Sequence, residues 1–193
     1  MGRWEPGTRE RLHSAALRLF AENGYEQTTA ADIAAAVGLT ERTFFRHYPD
    51  KREVLFGSDE LLSELIARGV REAPEGTSPL DLAASGVLAA AEFFDDERRS
   101  TARIRRQIID RNPALLERER AKYAQFADAA HRALLDRGVH EPAATLAAES
   151  AMVAFRTTVS QWLREDETRS WREIAAEMLG SLRQISEVPT SAG

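Results

Sequence analysis

Four polar side chains stand close together in the segment Glu41-Arg-Thr-Phe-Phe-Arg-His-Tyr48, and their types suit recognition of a nucleic acid. At 3.6 residues per turn, Arg42, Arg46, Thr43 and His47 fall within an arc of roughly 140° on one helix face. Phe44 and Tyr48, four apart, lie on the opposite side, where apolar anchors belong. Phe45 sits at the edge of the polar arc, within reach of sugar or phosphate. Arginine and histidine donate to the acceptor edge of guanine, and a threonine methyl can meet the thymine methyl. A buried structural helix has little use for such a face; a helix lying in the major groove needs one.

The residues around this helix supply the rest of a DNA-binding plan. Thr29 and Thr40 read as N-caps of two short helices separated by a turn containing Gly38. Helix N-termini present free N–H groups to an anionic oxygen. Lys51 follows Pro49-Asp50 and could reach a flanking phosphate. Two short helices joined in this way match the helix-turn-helix plan, whose second helix enters the major groove. The candidate DNA-contacting set is therefore Thr28, Thr29, Thr40, Arg42, Thr43, Phe45, Arg46, His47, Tyr48 and Lys51.

This stretch resembles the N-terminal segment of the tetracycline-repressor (TetR) family. The resemblance rests on Ala21-Glu-Asn-Gly-Tyr25, Thr28-Thr29, Ile33-Ala34, Val37-Gly38-Leu39 and Thr43-Phe-Phe-Arg-His-Tyr-Pro-Asp-Lys51, and covers roughly residues 8–60. It implies that Thr29, Arg42, Thr43, Phe45, His47 and Lys51 contact operator DNA, with Phe44 and Tyr48 as internal anchors. It also implies a homodimer on a pseudo-palindromic operator, released when a small molecule fills the C-terminal domain, with repression as the expected sign. The rival reading is a helical adaptor that keeps this fold and reads no DNA.

The remaining sequence must position these groups. With 193 residues, 43% apolar and 30% charged, the chain belongs among folded globular proteins. It has no cysteine, which excludes disulfides and thiolate chemistry. The net charge of −5 lies outside the first 51 residues, where seven basic and seven acidic side chains cancel. Neither a secretory leader nor a bilayer-length apolar run is legible, so a cytoplasmic location is expected. No metal-ligand spacing, phosphate loop or nucleophile–base pattern occurs, and neither enzymatic activity nor a cofactor is expected.

Strand signals are nearly absent and helical periodicity recurs throughout, which predicts an all-α fold of about nine helices. The expected organisation is a helix-turn-helix domain over 1–52, a ligand-binding and dimerisation domain over 53–187, and a disordered tail over 188–193. The fourth helix is expected to start at the cap Asp50, with Glu53 in the capping-box position. The eighth is apolar on more than one side: a main arc of Ala144, Ala148, Met152, Phe155, Val159, Trp162 and Leu163, a stripe of Leu146 and Val153, and Ala147 and Ala154 on a third. Core on one side and a twofold partner on another would explain that, with the ninth helix joining the interface.

The aromatic residues of the C-terminal region suit either core or the wall of a ligand pocket. Candidate ligand residues are Phe93, Arg105, Tyr123, Met152, Phe155, Arg156 and Trp162. Arg105 points the way Ile104, Ile108 and Ile109 point, and a charge aimed at apolar surroundings needs a partner. Two remain open: an ion pair with Glu119, or the anionic end of an amphipathic inducer such as a fatty acyl compound.

Overall fold

The computed structural model describes residues 7–186, which contain nine α-helices, two short 3-10 turns and no strand. The expected tail over 188–193 lies outside the described residues. The helices are α1 (Thr8–Asn23), α2 (Ala30–Ala35), α3 (Glu41–His47), α4 (Asp59–Glu72), α5 (Pro79–Ala89), α6 (Asp96–Asp110), α7 (Pro113–Asp136), α8 (Ala143–Trp162) and α9 (Trp171–Ser186). The caps read from sequence at Thr29 and Thr40 hold. Thr29 and Asp32 form a reciprocal capping box, and Thr40 accepts an N–H three residues on, as Ser78 does at the start of α5.

The chain divides into two compact units, and the division is not a single cut near residue 52. The first unit takes residues 7–59 together with Ser100–Glu119; the second takes Glu60–Arg99 and residues 120–186. Parts of α6 and α7 therefore belong to the unit that holds the recognition helix. Periodicity along one helix says which face is apolar, not which neighbour that face meets, so this exchange of segments has no local signature.

In the first unit α1, α2 and α3 close around Leu12, Ala16, Phe20, Ile33, Ala34 and Phe44, with Ile108, Ile109 and Leu115 in the same core. The expected fourth helix is broken. A 3-10 turn over Arg52–Leu55 is capped by the Asp50 carboxylate, which accepts the N–H groups of Arg52 and Glu53, and α4 begins only at Asp59. Gly57 falls in the break, where an added Cβ would stand 3.2 Å from the Tyr48 ring and 3.4 Å from the Arg9 guanidinium. The chain passes close to Tyr48 there, and a side chain at 57 would need the ring to give by a few tenths of an ångström.

The second unit is built on α5, α8 and α9 packed against one another. α4 crosses α5 at Gly69 and Gly86: a Cβ on Gly69 would lie 2.6 Å from Ser85 O, and one on Gly86 would lie 2.7 Å from Ile66 O. Side chains are excluded at both positions, so the two helix backbones meet directly. On α8 the expected apolar arc is buried as far as Trp162, and so are Ala147 and Ala154, covered within this chain. Leu146 and Val153 are 64% and 49% exposed, so the uncovered apolar stripe is narrower than the sequence suggested.

Candidate nucleic-acid interface

The recognition helix α3 is only seven residues long, too short to persist alone, and is held by its buried side. Phe44 is fully buried and packs against Tyr48 at 5.6 Å and edge-on against Phe45 at 5.5 Å, ring centre to ring centre. Tyr48 caps the helix C-terminus; its hydroxyl donates to Arg9 O at 3.1 Å, and the Arg9 guanidinium covers its ring at 5.1 Å. Anchored in this way, α3 turns Arg42, Phe45 and Arg46 outward, with Thr43 and His47 half exposed beside them. Phe45 shows 48% of its surface to solvent, an unusual placement for phenylalanine unless something is to cover it.

The surrounding polar groups are fixed by internal bonds. Thr40 Oγ1 accepts from Thr43 N–H at 3.3 Å and shares a hydrogen bond with Thr43 Oγ1 at 3.0 Å. Lys51 Nζ donates to Tyr25 O at 2.8 Å and stands 4.2 Å above the Tyr25 ring, so its charge is held at one place. His47 is pulled below the usual histidine range, first by desolvation and then by the cations Arg46 and Arg9. It is therefore neutral at physiological pH, and its Nε2 is buried without a hydrogen-bond partner.

Two members of the candidate set are corrected. Thr28 is 2% exposed, and its hydroxyl is spent on Gly24 O and Leu19 O. Tyr48 is 3% exposed and its hydroxyl is spent on Arg9. Both position the reading face without belonging to it. Thr29 is exposed, but its hydroxyl and N–H both donate to the Asp32 carboxylate, which Thr29 holds below the usual range. An acid already sits where a phosphate was expected at α2. At α3, Thr40 has no such acid bonded to it; its hydroxyl is bonded to Thr43.

Arg105 has the internal partner. Its Nη2 meets Glu119 Oε2 at 2.8 Å and its Nε donates to Leu55 O at 2.6 Å. All of these groups lie in the first unit, which withdraws Arg105 from the ligand set. A second arginine, unnoticed in the sequence, does the same nearby. Arg118 binds Glu53 through two hydrogen bonds of 2.8 and 3.0 Å and Asp59 Oδ2 at 3.0 Å, and these carboxylates hold its charge firmly in place. The guanidinium carbons of Arg105 and Arg118 lie 4.9 and 4.6 Å from the Phe56 ring centre. The break before α4 is thus clamped to α6 and α7 by one ring, two cations and three carboxylates.

The other ligand candidates, in the second unit, form one aromatic cluster. Phe155 touches Phe94, Tyr123, Phe126 and Trp171, and Phe94 also touches Trp162. Met152 is buried beside Phe155's level on α8, Phe93 is half exposed edge-on to Phe94, and Arg156 is exposed 6.0 Å from the Tyr123 ring. Phe94, Trp171 and Arg99 were not singled out from sequence. Arg99 meets Asp96 three residues before it, but its other partners are the backbone carbonyls of Glu167 and Arg169, which carry no side-chain signal.

Comparison with known proteins agrees with this geometry. The family profile of bacterial regulatory proteins of the tetR family matches residues 12–57. The chain is 41% identical over 83 residues to the HTH-type transcriptional regulator TcmR of Streptomyces glaucescens, covering 43% of this chain and 36% of that one. It is 34% identical over 111 residues to the HTH-type transcriptional regulator CymR of Pseudomonas putida, covering 57% and 55%. The matched stretches thus span about a third to a half of these relatives' own length. The solved SmeT–triclosan complex shares the fold, with a TM-score of 0.61, 21% identity and 97% of each chain covered. The helix-turn-helix built on Phe44 and Tyr48 lies within the stretch that matches the profile of the tetR family of bacterial regulatory proteins, and the all-helical frame that carries it has the fold of the SmeT structure.

Proposed function

We propose that the chain is a one-component transcriptional regulator of the cytoplasm. In this reading it binds a pseudo-palindromic operator as a homodimer, acts as a repressor, and leaves the DNA when a small molecule occupies its second unit. The observation that carries the reading is the exposed face of α3. Arg42 and Arg46 stand in the open with Phe45, while Phe44 beneath them is fully buried. An adaptor that read no DNA would have no need of that face.

The homodimer is supported by the uncovered stripe of Leu146 and Val153 on α8, which lie seven residues and two turns apart. A twofold dimer reading two half-sites places its α3 helices about 34 Å apart, or a multiple of that. Release by a ligand is supported by the aromatic cluster and by its likeness in fold to a protein solved with triclosan bound. Selection of duplexes from a random pool tests the reading. A recovered consensus with two inverted half-sites is expected. Recovery of sequences with no shared motif would refute it.

A further inference from the structure

We propose that the second unit takes a flat aromatic ligand whose edge carries carbonyl-type acceptor oxygens, and that Phe94 occupies that ligand's place in the structure described here. The inference rests on the ligand-release reading above and names the chemical class of the ligand.

The argument starts from hydrogen bonds that are missing. Among the described residues of the second unit, three buried side-chain atoms lack a partner: Arg99 Nε, Trp162 Nε1 and Trp171 Nε1. All three are donors. All three also belong to one cluster, since the Arg99 guanidinium lies 5.1 Å from the Trp162 ring and Phe94 touches both indoles. A buried donor without an acceptor is costly, and ring faces are only weak acceptors. A core selected for packing alone would place phenylalanine at 162 and 171. Three unmet donors carried by side chains of one ring cluster call for an acceptor from outside the chain.

The shape of the site follows from Phe94. Its ring stacks on Trp171 at 4.8 Å with 5° between the planes, and meets Trp162 edge-on at 5.5 Å. Trp162 and Trp171 are fully buried, yet Phe94 is only half buried and lies in the short connection between the 3-10 turn over Ala90–Glu92 and α6. A ring that is stacked, flat and open on one side is the member of the cluster that can leave without dismantling a helix. What replaces it must itself be flat and aromatic.

The charge of the ligand follows from Arg99. Its cation is already met by the Asp96 carboxylate at 2.6 Å and by the carbonyls of Glu167 and Arg169. The donors left over suit dipolar oxygens such as those of aryl ketones and quinones. The alkyl chain of a fatty acid would leave both indole N–H groups unmet.

Calorimetric titration of the full chain with three probes tests the proposal. They are 1-acetylnaphthalene, which has ring and acceptor; 1-ethylnaphthalene, which has the ring alone; and decanoate, which has acceptors without a ring. The ketone is expected to bind at least about tenfold tighter than the hydrocarbon. Trp162→Phe and Trp171→Phe should each reduce that preference and together reduce it most, because 1-ethylnaphthalene offers the indoles no acceptor to lose. Phe94→Ala, whose effect does not depend on the tryptophan variants folding, should tighten both naphthalenes. Equal binding of the two naphthalenes, an undiminished preference in the double variant, or decanoate as the tightest probe would each overturn the proposal. Ketone binding that leaves the selected duplex bound would instead contradict the ligand-release reading and uphold the site.

Discussion

Arginine does opposite things in two places of the first unit. On α3, Arg42 and Arg46 are exposed, and the helix beneath them is held by rings. At the break before α4, Arg105 and Arg118 are mostly buried and each is bonded to carboxylates of the same unit. A cation whose partner lies within the fold fixes geometry; a cation left open awaits a partner from outside. Helical-wheel position separated Arg42 from the core correctly but could not identify Arg105, because its angle is satisfied equally by an acid or by a ligand.

The sharpest way to break this contrast is to remove one partner at the clamp. Glu119→Leu leaves the Arg105 cation without its carboxylate in a half-buried place and should cost about 3 kcal/mol of stability, read by urea unfolding. Adding Arg105→Met should recover most of that loss, since both charges are then gone. If the single variant were as stable as the original chain, the clamp would be no clamp.

On α3 the same kind of substitution should leave folding alone. Arg46→Ala is expected to cost about 1–3 kcal/mol in affinity for the selected duplex and to relax preference at one base position, with an unchanged melting temperature. A loss of melting temperature would move Arg46 into the structural class with Arg105.

A smaller effect is expected on assembly. Val153→Glu puts a charge on the uncovered stripe of α8, where nothing of the chain's own fold is disturbed, and should convert dimers to folded monomers in sedimentation at micromolar concentration. Ala154→Glu, one residue away but buried, should unfold the protein instead. The pair separates interface from core.

The least effect concerns His13, whose Nδ1 bonds Val54 O at 2.8 Å. Burial, with a lesser contribution from the Arg105 charge, pulls its pKa below the usual histidine value. The unfolded chain then binds the proton more readily, so stability is full at neutral pH and falls as pH drops through and below about 6.5. Melting curves at pH 7.5 and 5.5 should show the fall, and His13→Asn, which keeps a donor and cannot charge, should lessen it.

The fold was legible because its signals are local. The Thr29, Thr40 and Ser78 caps, and the three- and four-residue spacing of Leu12, Ala16 and Phe20, each act within one helix. The exposed side of α3, with Arg42 and Arg46, was legible for the same reason. The broken fourth helix was not, because Gly57 passes close to Tyr48 and Arg9, which lie far off in sequence. Nor was the clamp, whose members Glu53, Phe56, Arg105, Arg118 and Glu119 come from three segments. Thr28 and Tyr48 were misassigned to the DNA set because a motif lists the residues that build a site along with those that touch its ligand.

The central claim is that α3 presents a reading face held by a separate buried anchor. Fluorescence anisotropy of the selected duplex over a range of salt concentrations, with the original chain and Arg42→Ala/Arg46→Ala, tests it most directly. The account expects tight, steeply salt-dependent binding by the original chain. It expects the variant, unchanged in its melting temperature, to bind the selected and a scrambled duplex with equal weakness. A variant that still prefers the selected duplex with the original affinity and salt slope would contradict it.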